Sequence, residues 1–162
     1  MRTAALATAA IALLGLLGVV SAAAPPAAAP AATASRTLVF DVRFSPFAAL
    51  HLNPAPDPTT GFGLGDELTF HDLLLSHGKQ VGDDGGACVI VDAGQLLASC
   101  TEVIRLPEGT ITTQFLNSPP PEKHLAVTGG TGLFRSAGGD ATLIEFGDGT
   151  GRLTLHLLAL SR

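Results

Sequence analysis

Asp72 is the residue whose type and place could do chemistry. It stands in the run Gly65-Asp66-Glu67-Leu68-Thr69-Phe70-His71-Asp72-Leu73-Leu74, and successive side chains of a strand point to opposite faces. If Leu68 and Phe70 face an apolar interior, Asp66, Asp72 and Leu74 share that face. A carboxylate there is costly unless it is hydrogen-bonded or paired, and burial raises its pKa. An aspartate in that setting can act as an acid or a base near neutral pH. The plainer reading is that Asp66 and Asp72 bond turn amides at the strand ends. Asp41, Arg43 and Glu145 are further polar candidates, expected on the outer face and solvated. His71 and Asp72 are adjacent and therefore point to opposite faces.

The remaining chemistry-bearing patterns exclude more than they suggest. No Gly-x-Ser-x-Gly elbow is present, which rules out an α/β-hydrolase nucleophile. His51, His71, His77, His124 and His156 have no metal-ligand spacing, and two cysteines without Cys-x-x-Cys make a poor metal set, so no metal is expected. Gly61-Phe62-Gly63-Leu64-Gly65 lacks the strand-to-helix context of a dinucleotide site. Gly129, Gly130 and Gly132, in Gly-Gly-Thr-Gly, lack the following Lys-Ser/Thr of a phosphate-binding loop and read as a structural turn. No cofactor is called for. The net charge is −5 and lysines and arginines are scattered singly. Nucleic acid and anionic membrane surfaces are therefore disfavoured as partners.

These residues need strands to position them. Thr37 to Phe44 alternates, with Leu38, Phe40, Val42 and Phe44 on one face and Thr37, Asp41 and Arg43 on the other. Arg152 to Leu160 alternates likewise, and Gly139 to Phe146 places Thr142, Ile144 and Phe146 opposite Ala141, Leu143 and Glu145. Period two is the strand signal. Gly109 to Asn117, rich in Thr and Ile, suits a pleated surface. Turn clusters fall at Asn53–Thr60, His77–Gly86, Pro107–Gly109, Ser118–Glu122 and Gly147–Gly151. About eight strands and no amphipathic helix result, an antiparallel barrel or sandwich.

Cys88 and Cys100 flank Gly94 symmetrically. The arms Cys88–Asp92 and Leu96–Cys100 read as a hairpin turning at Ala93-Gly94-Gln95. Cys88 then faces Cys100, Ile90 faces Ala98 and Asp92 faces Leu96, a spacing a disulfide can bridge. Two free buried thiols are the rival reading.

The run Gly129-Gly130-Thr131-Gly132-Leu133-Phe134-Arg135-Ser136-Ala137-Gly138-Gly139 resembles the Gly-Gly-Thr-Gly-x-(Tyr/Phe)-Arg-x-Ala-x-Gly signature of the allene oxide cyclase and dirigent barrels. Gly65–Asp72, Gly78–Gly82 with Gly85–Cys88, and Leu106–Ile111 resemble the family's other strands in the same order. The resemblance spans roughly Leu64 to the C-terminus. It implies an all-β fold, an eight-stranded antiparallel up-and-down barrel. By parity its lumen would be lined by Phe40, Phe44, Leu68, Phe70, Phe115, Ile144, Phe146 and Leu155. The family implies a cyclase or isomerase that shapes a small apolar ligand by proximity, with no covalent step. The alternative is a non-catalytic extracellular binder of a hydrophobic small molecule. Plant relatives read Ala-Arg-Gly where this chain has Ala137-Gly138-Gly139, so the cation at that site is missing. The family also implies a homo-oligomer, dimer or trimer, with outward Val39, Leu143 and Leu158 covered by a neighbour.

The N-terminal part is expected to stand apart from the fold. Arg2, the apolar run Ala4–Val20 and the small residues that follow read as a secretory signal peptide over residues 1–23. Residues 24–35 are almost pure Ala and Pro and read as a linker. The domain then covers residues 36–162. Export would make the protein extracellular, with no stable membrane association after cleavage, and would let the cysteines oxidise.

Overall fold

The computed structural model describes residues 35–119 and 121–158. The expected signal peptide, and the linker except for Ser35, lie outside the described residues.

Nine strands form one antiparallel sheet: β1 (Arg36–Arg43), β2 (Ala48–Leu50), β3 (Glu67–Ser76), β4 (Lys79–Asp92), β5 (Leu97–Leu106), β6 (Gly109–Asn117), β7 (Glu122–Gly130), β8 (Gly139–Glu145) and β9 (Thr150–Leu157). Each pairs with the next from β2 to β9, β9 pairs with β1, and β1 pairs with β3, which closes the ring. The barrel has eight strand positions because β1 and β2 share one. Asp41–Arg43 of β1 pair with Leu73–Leu75 at one end of β3, and Ala48–Leu50 of β2 pair with Glu67–Thr69 at the other. Pro46 stands between them and has no N–H to give the ladder. The Ser45 N–H leaves the sheet and donates to Asp72 Oδ1 at 2.7 Å.

The period-two pattern holds most cleanly in β5, where every second residue from Ala98 to Leu106 is buried. The expected turn cluster at His77–Gly86 is corrected. Only His77 and Gly78 turn, with φ of 52° and 74°, and Gly82 to Gly86 continue β4. Glycine suits this strand because its neighbours occupy the Cβ positions. A Cβ on Gly86 would stand 2.3 Å from the Thr101 carbonyl oxygen and 2.6 Å from the Phe70 ring.

The lumen is divided lengthwise. One end is filled by a core that includes Phe40, Leu74, Ile104, Ile111, Leu125 and Leu155. Phe134, in the 3-10 turn Gly132–Phe134, plugs that end and is 1% exposed. The turn from Gly129 to Gly132 is bound tightly there. Thr131 N–H donates to Thr110 O at 2.8 Å and Leu133 N–H to Glu108 O at 2.9 Å. Gly132 has φ +59°, and a Cβ on it would stand 2.2 Å from Glu108 O. Glycine is required by both conformation and space. At the other end a smaller cluster centres on Cys88, Ile90, Ala98 and Cys100.

That second cluster contains the hairpin. Cys88 pairs with Cys100 and Ile90 with Ala98, and the two cysteines form a disulfide with Cα atoms 4.0 Å apart. The register shifts after Ile90, so Asp92 faces Leu97 and not Leu96. Leu96 has moved into the turn, at φ 51°.

Candidate functional site: a recess at the open end of the barrel

The end opposite Phe134 holds a recess of about 490 Å³. Phe44, Leu68, Phe70 and Phe115 supply much of its wall, and Phe47 and Phe62 reach it from the connection between β1 and β3. Small residues let the rings lie flat on the sheet. Gly86 lies beneath Phe70, and a Cβ on Gly151 would stand 2.7 Å from the Phe44 ring.

Four of the eight expected lumen residues, Phe44, Leu68, Phe70 and Phe115, border this recess. Phe40 and Leu155 point inward but are packed into the filled half. The expectation for Ile144 and Phe146 is corrected: they are 39% and 52% exposed and lie off the recess. Both faces of β8 carry apolar residues, so alternation alone does not say which turns inward. Pairing with β9 decides it, because Ala141 opposes Leu155 and Leu143 opposes Leu153, both buried. Leu143 and Glu145 therefore face the recess, not the outer surface.

Its polar residues lie in a belt across neighbouring strands. Asp72 on β3 borders the recess, directly opposite Asp84 on β4. Asp84 opposes Ile104 and Gly86 opposes Glu102, so Glu102 on β5 is the diagonal neighbour of Asp84. Glu102 opposes Thr113 on β6, whose hydroxyl donates to Glu102 Oε2 at 2.7 Å. On the other side of the lumen Lys123 Nζ stands 3.7 Å from Glu145 Oε2 and donates to the Ser118 carbonyl.

Burial governs how these acids titrate. The Asp72 carboxyl is pushed up by desolvation, against the Ser45 N–H that holds it down. Asp84 is pushed up to about 8 by burial first and then by the negative charges of Glu102, Asp72 and Asp83. Glu102 is pushed up to about 7 by burial, against the Thr113 hydrogen bond. Asp84 and Glu102 therefore retain protons into the neutral range.

Asp66 and Asp83 show the opposite behaviour. Asp66 lies off the recess. Its carboxylate accepts from the N–H groups of Leu52 (2.7 Å), Asn53 (2.9 Å) and Gly63 (2.8 Å), with His51 Nδ1 at 2.9 Å. The Gly63 amide leads in holding its pKa far down. Asp83, next to Asp84 in sequence, points outward. It is bound by Arg105, with Nε at 2.8 Å, and by His71 Nε2 at 3.0 Å. Its pKa is lowered to about 2, chiefly by the Arg105 hydrogen bond.

Sequence reasoning named Asp72 but missed Asp84, Glu102, Lys123 and Phe62. The alternation of Glu102 with Ile104 and Leu106 was the available signal for Glu102. Asp84 was hidden by its glycine neighbours.

Fold and recess together define a small antiparallel barrel closed at one end and open at the other. The chain belongs to the allene oxide cyclase barrel-like domain family, whose model matches residues 48–150. A solved structure titled pyocyanin demethylase is similar, with 29% identity over 75% of this chain and 99% of that one, at a TM-score of 0.66. A pterocarpan synthase dirigent protein shares the fold at 16% identity, covering 80% of this chain and 97% of that one, with TM-score 0.64. A nonspecific heme-binding cyclase of neoabyssomicin biosynthesis, which catalyses a cycloaddition, shares it at 18% identity, 79% and 68% coverage and TM-score 0.64. No curated protein sequence matches the chain.

Proposed function

We propose that this protein is an exported isomerase or cyclase that holds a small, largely apolar molecule in the recess and folds it into one reactive conformer. The observation that carries the reading is a phenylalanine-walled recess with Asp72, Asp84 and Glu102 on one side of it. Its size suits a small ligand. Rigid walls restrict the conformers a flexible substrate can adopt, which lowers the barrier without a nucleophile. An acid whose pKa is raised toward neutrality can give or take a proton as charge develops, and Asp72 remains a candidate for that role. The acids add the means of proton transfer to the apolar walls, which supports the enzyme reading over the non-catalytic binder. Export rests on the N-terminal apolar run and agrees with the disulfide.

The test begins by incubating the purified protein with extract of its producing culture and identifying retained molecules by native mass spectrometry. A retained apolar compound, converted to an isomer on incubation, is the expected result. Phe70→Ala should weaken its retention about tenfold and scramble product stereochemistry. Asp72→Asn should slow conversion while leaving retention in place. Retention without conversion would leave only the carrier, and no retention at all would overturn the recess as a binding site.

A further inference from the structure

Beside the recess, one buried carboxyl oxygen has no hydrogen-bond partner among the described residues. Asp84 is 4% exposed and borders the recess, and its Oδ1 is buried with no hydrogen bond among the described residues. A buried polar atom left unpaired costs free energy comparable to a lost hydrogen bond, and such atoms are rare. The other acids on this side are engaged: Asp72 with the Ser45 amide and Glu102 with the Thr113 hydroxyl. Lys123 stands across the lumen beside Glu145. Asp83 is on the outer face, bound to Arg105 and His71. The side formed by β3, β4 and β5 thus carries three carboxyls with no cation of its own facing in. Phe70 and Phe115 border the same recess, and ring faces attract positive charge.

We infer that the recess selects an amphipathic organic cation, whose protonated nitrogen lies against the carboxyls of Asp72, Asp84 and Glu102 while its hydrocarbon body lies against Phe70 and Phe115. This inference rests on the recess being a ligand site and specifies the ligand's chemical class. A turn of the Asp84 side chain toward this donor satisfies the orphaned oxygen, and the positive charge relieves the repulsion among Asp72, Asp84 and Glu102. Because the acids hold protons in the empty protein, cation binding releases a proton. Affinity therefore rises with pH until the carboxyls are ionised beforehand.

Three fluorescent probes of nearly one shape test this: 1-naphthylmethylammonium, 1-naphthalenemethanol and 1-ethylnaphthalene. The ammonium should bind at least about tenfold more tightly than either neutral probe at about pH 8, with a preference that shrinks toward about pH 6. Calorimetry in two buffers of different ionisation enthalpy should register proton release on binding the ammonium alone. Asp84→Asn and Glu102→Gln should each bring the ammonium to within about threefold of 1-ethylnaphthalene, without weakening 1-ethylnaphthalene itself. Equal or tighter binding of the alcohol or the hydrocarbon overturns the cation selectivity but leaves the recess a ligand site. Failure of all three probes overturns both.

Discussion

Asp66 and Asp84 are both buried aspartates, yet the fold drives them in opposite directions. Asp66 meets three backbone N–H groups and its charged form is favoured; Asp84 is desolvated by burial and then meets other carboxyls, so its charged form is disfavoured. The pH consequences have opposite sign. Asp66 contributes stability above its ordinary carboxylate pKa, and that contribution is lost as pH falls through the lowered value. Asp84 has its folded pKa above its unfolded one. Its contribution is complete below the ordinary value of 3.8 and is lost as pH rises through about 8. Glu102 behaves as Asp84 does, between 4.5 and about 7. Asp84→Asn removes the ionisation while keeping the shape. We expect it to flatten the fall in Tm between about pH 5 and pH 8 and to stabilise the protein at the upper end by about 2 kcal/mol. Thermal melts across that range check this; a variant whose Tm falls as steeply as the parent's would contradict the titration of Asp84.

At the scale of the element, the hairpin of β4 and β5 holds one wall of the recess. Cys88 and Ala98 both border the cavity, and the disulfide fixes their strands two residues before the register shifts between Ile90 and Asp92. Its loop spans a sequence separation of 12, so replacing both cysteines by alanine should cost about 3 kcal/mol in the chain-entropy picture. Hydrogen exchange should then rise first at Ile90 to Ala98 and not at the Phe134 end, because the two clusters share no buried residue and only Phe115 packs against both. Exchange that rises equally at both ends would show that the disulfide stabilises the barrel as a whole. The connection between β2 and β3 is held differently, by Asp66, which binds both its start at Leu52 and Asn53 and its later Gly63. That clasp places Phe62 over the recess.

At the scale of the whole molecule, one uncharged patch lies on the outer face, bordered by Glu67 opposite Val89 and by Arg105 beyond Val103. Val89 on β4, Ser99, Thr101 and Val103 on β5, and Gln114 and Leu116 on β6 form it, and Val89, Val103 and Leu116 are 40%, 47% and 59% exposed. Val39 and Leu158, two of the three residues expected at an interface, are 51% and 65% exposed; the third, Leu143, packs inward. An uncharged patch on a chain of net charge −5 is where two copies can meet with least repulsion. Light scattering at micromolar concentration should give a dimer or trimer, and Val103→Lys with Leu116→Lys should return it to monomer. A monomer in the parent protein would contradict the homo-oligomer.

The sequence by itself determined the strands with clean alternation, the hairpin register from Cys88–Cys100 to Ile90–Ala98, and the turn that only glycine can make at Gly132. These are local matters: period-two spacing, short-range pairing and backbone conformation act over a few residues. It also indicated the barrel, through glycines and turns in a recognisable order. Only the tertiary structure decided which face of β8 turns inward, since both are apolar enough and pairing with β9 settles the choice. It decided that Phe40 and Leu155 fill one half of the lumen while Phe44 and Phe70 wall an open half, because parity gives the side of a sheet and not the depth along a barrel. It also placed Asp72, Asp84 and Glu102 in one belt across three strands. Their shared titration arises from proximity among residues far apart in the chain, and ring closure is what brings Lys123 and Glu145 to the opposite wall.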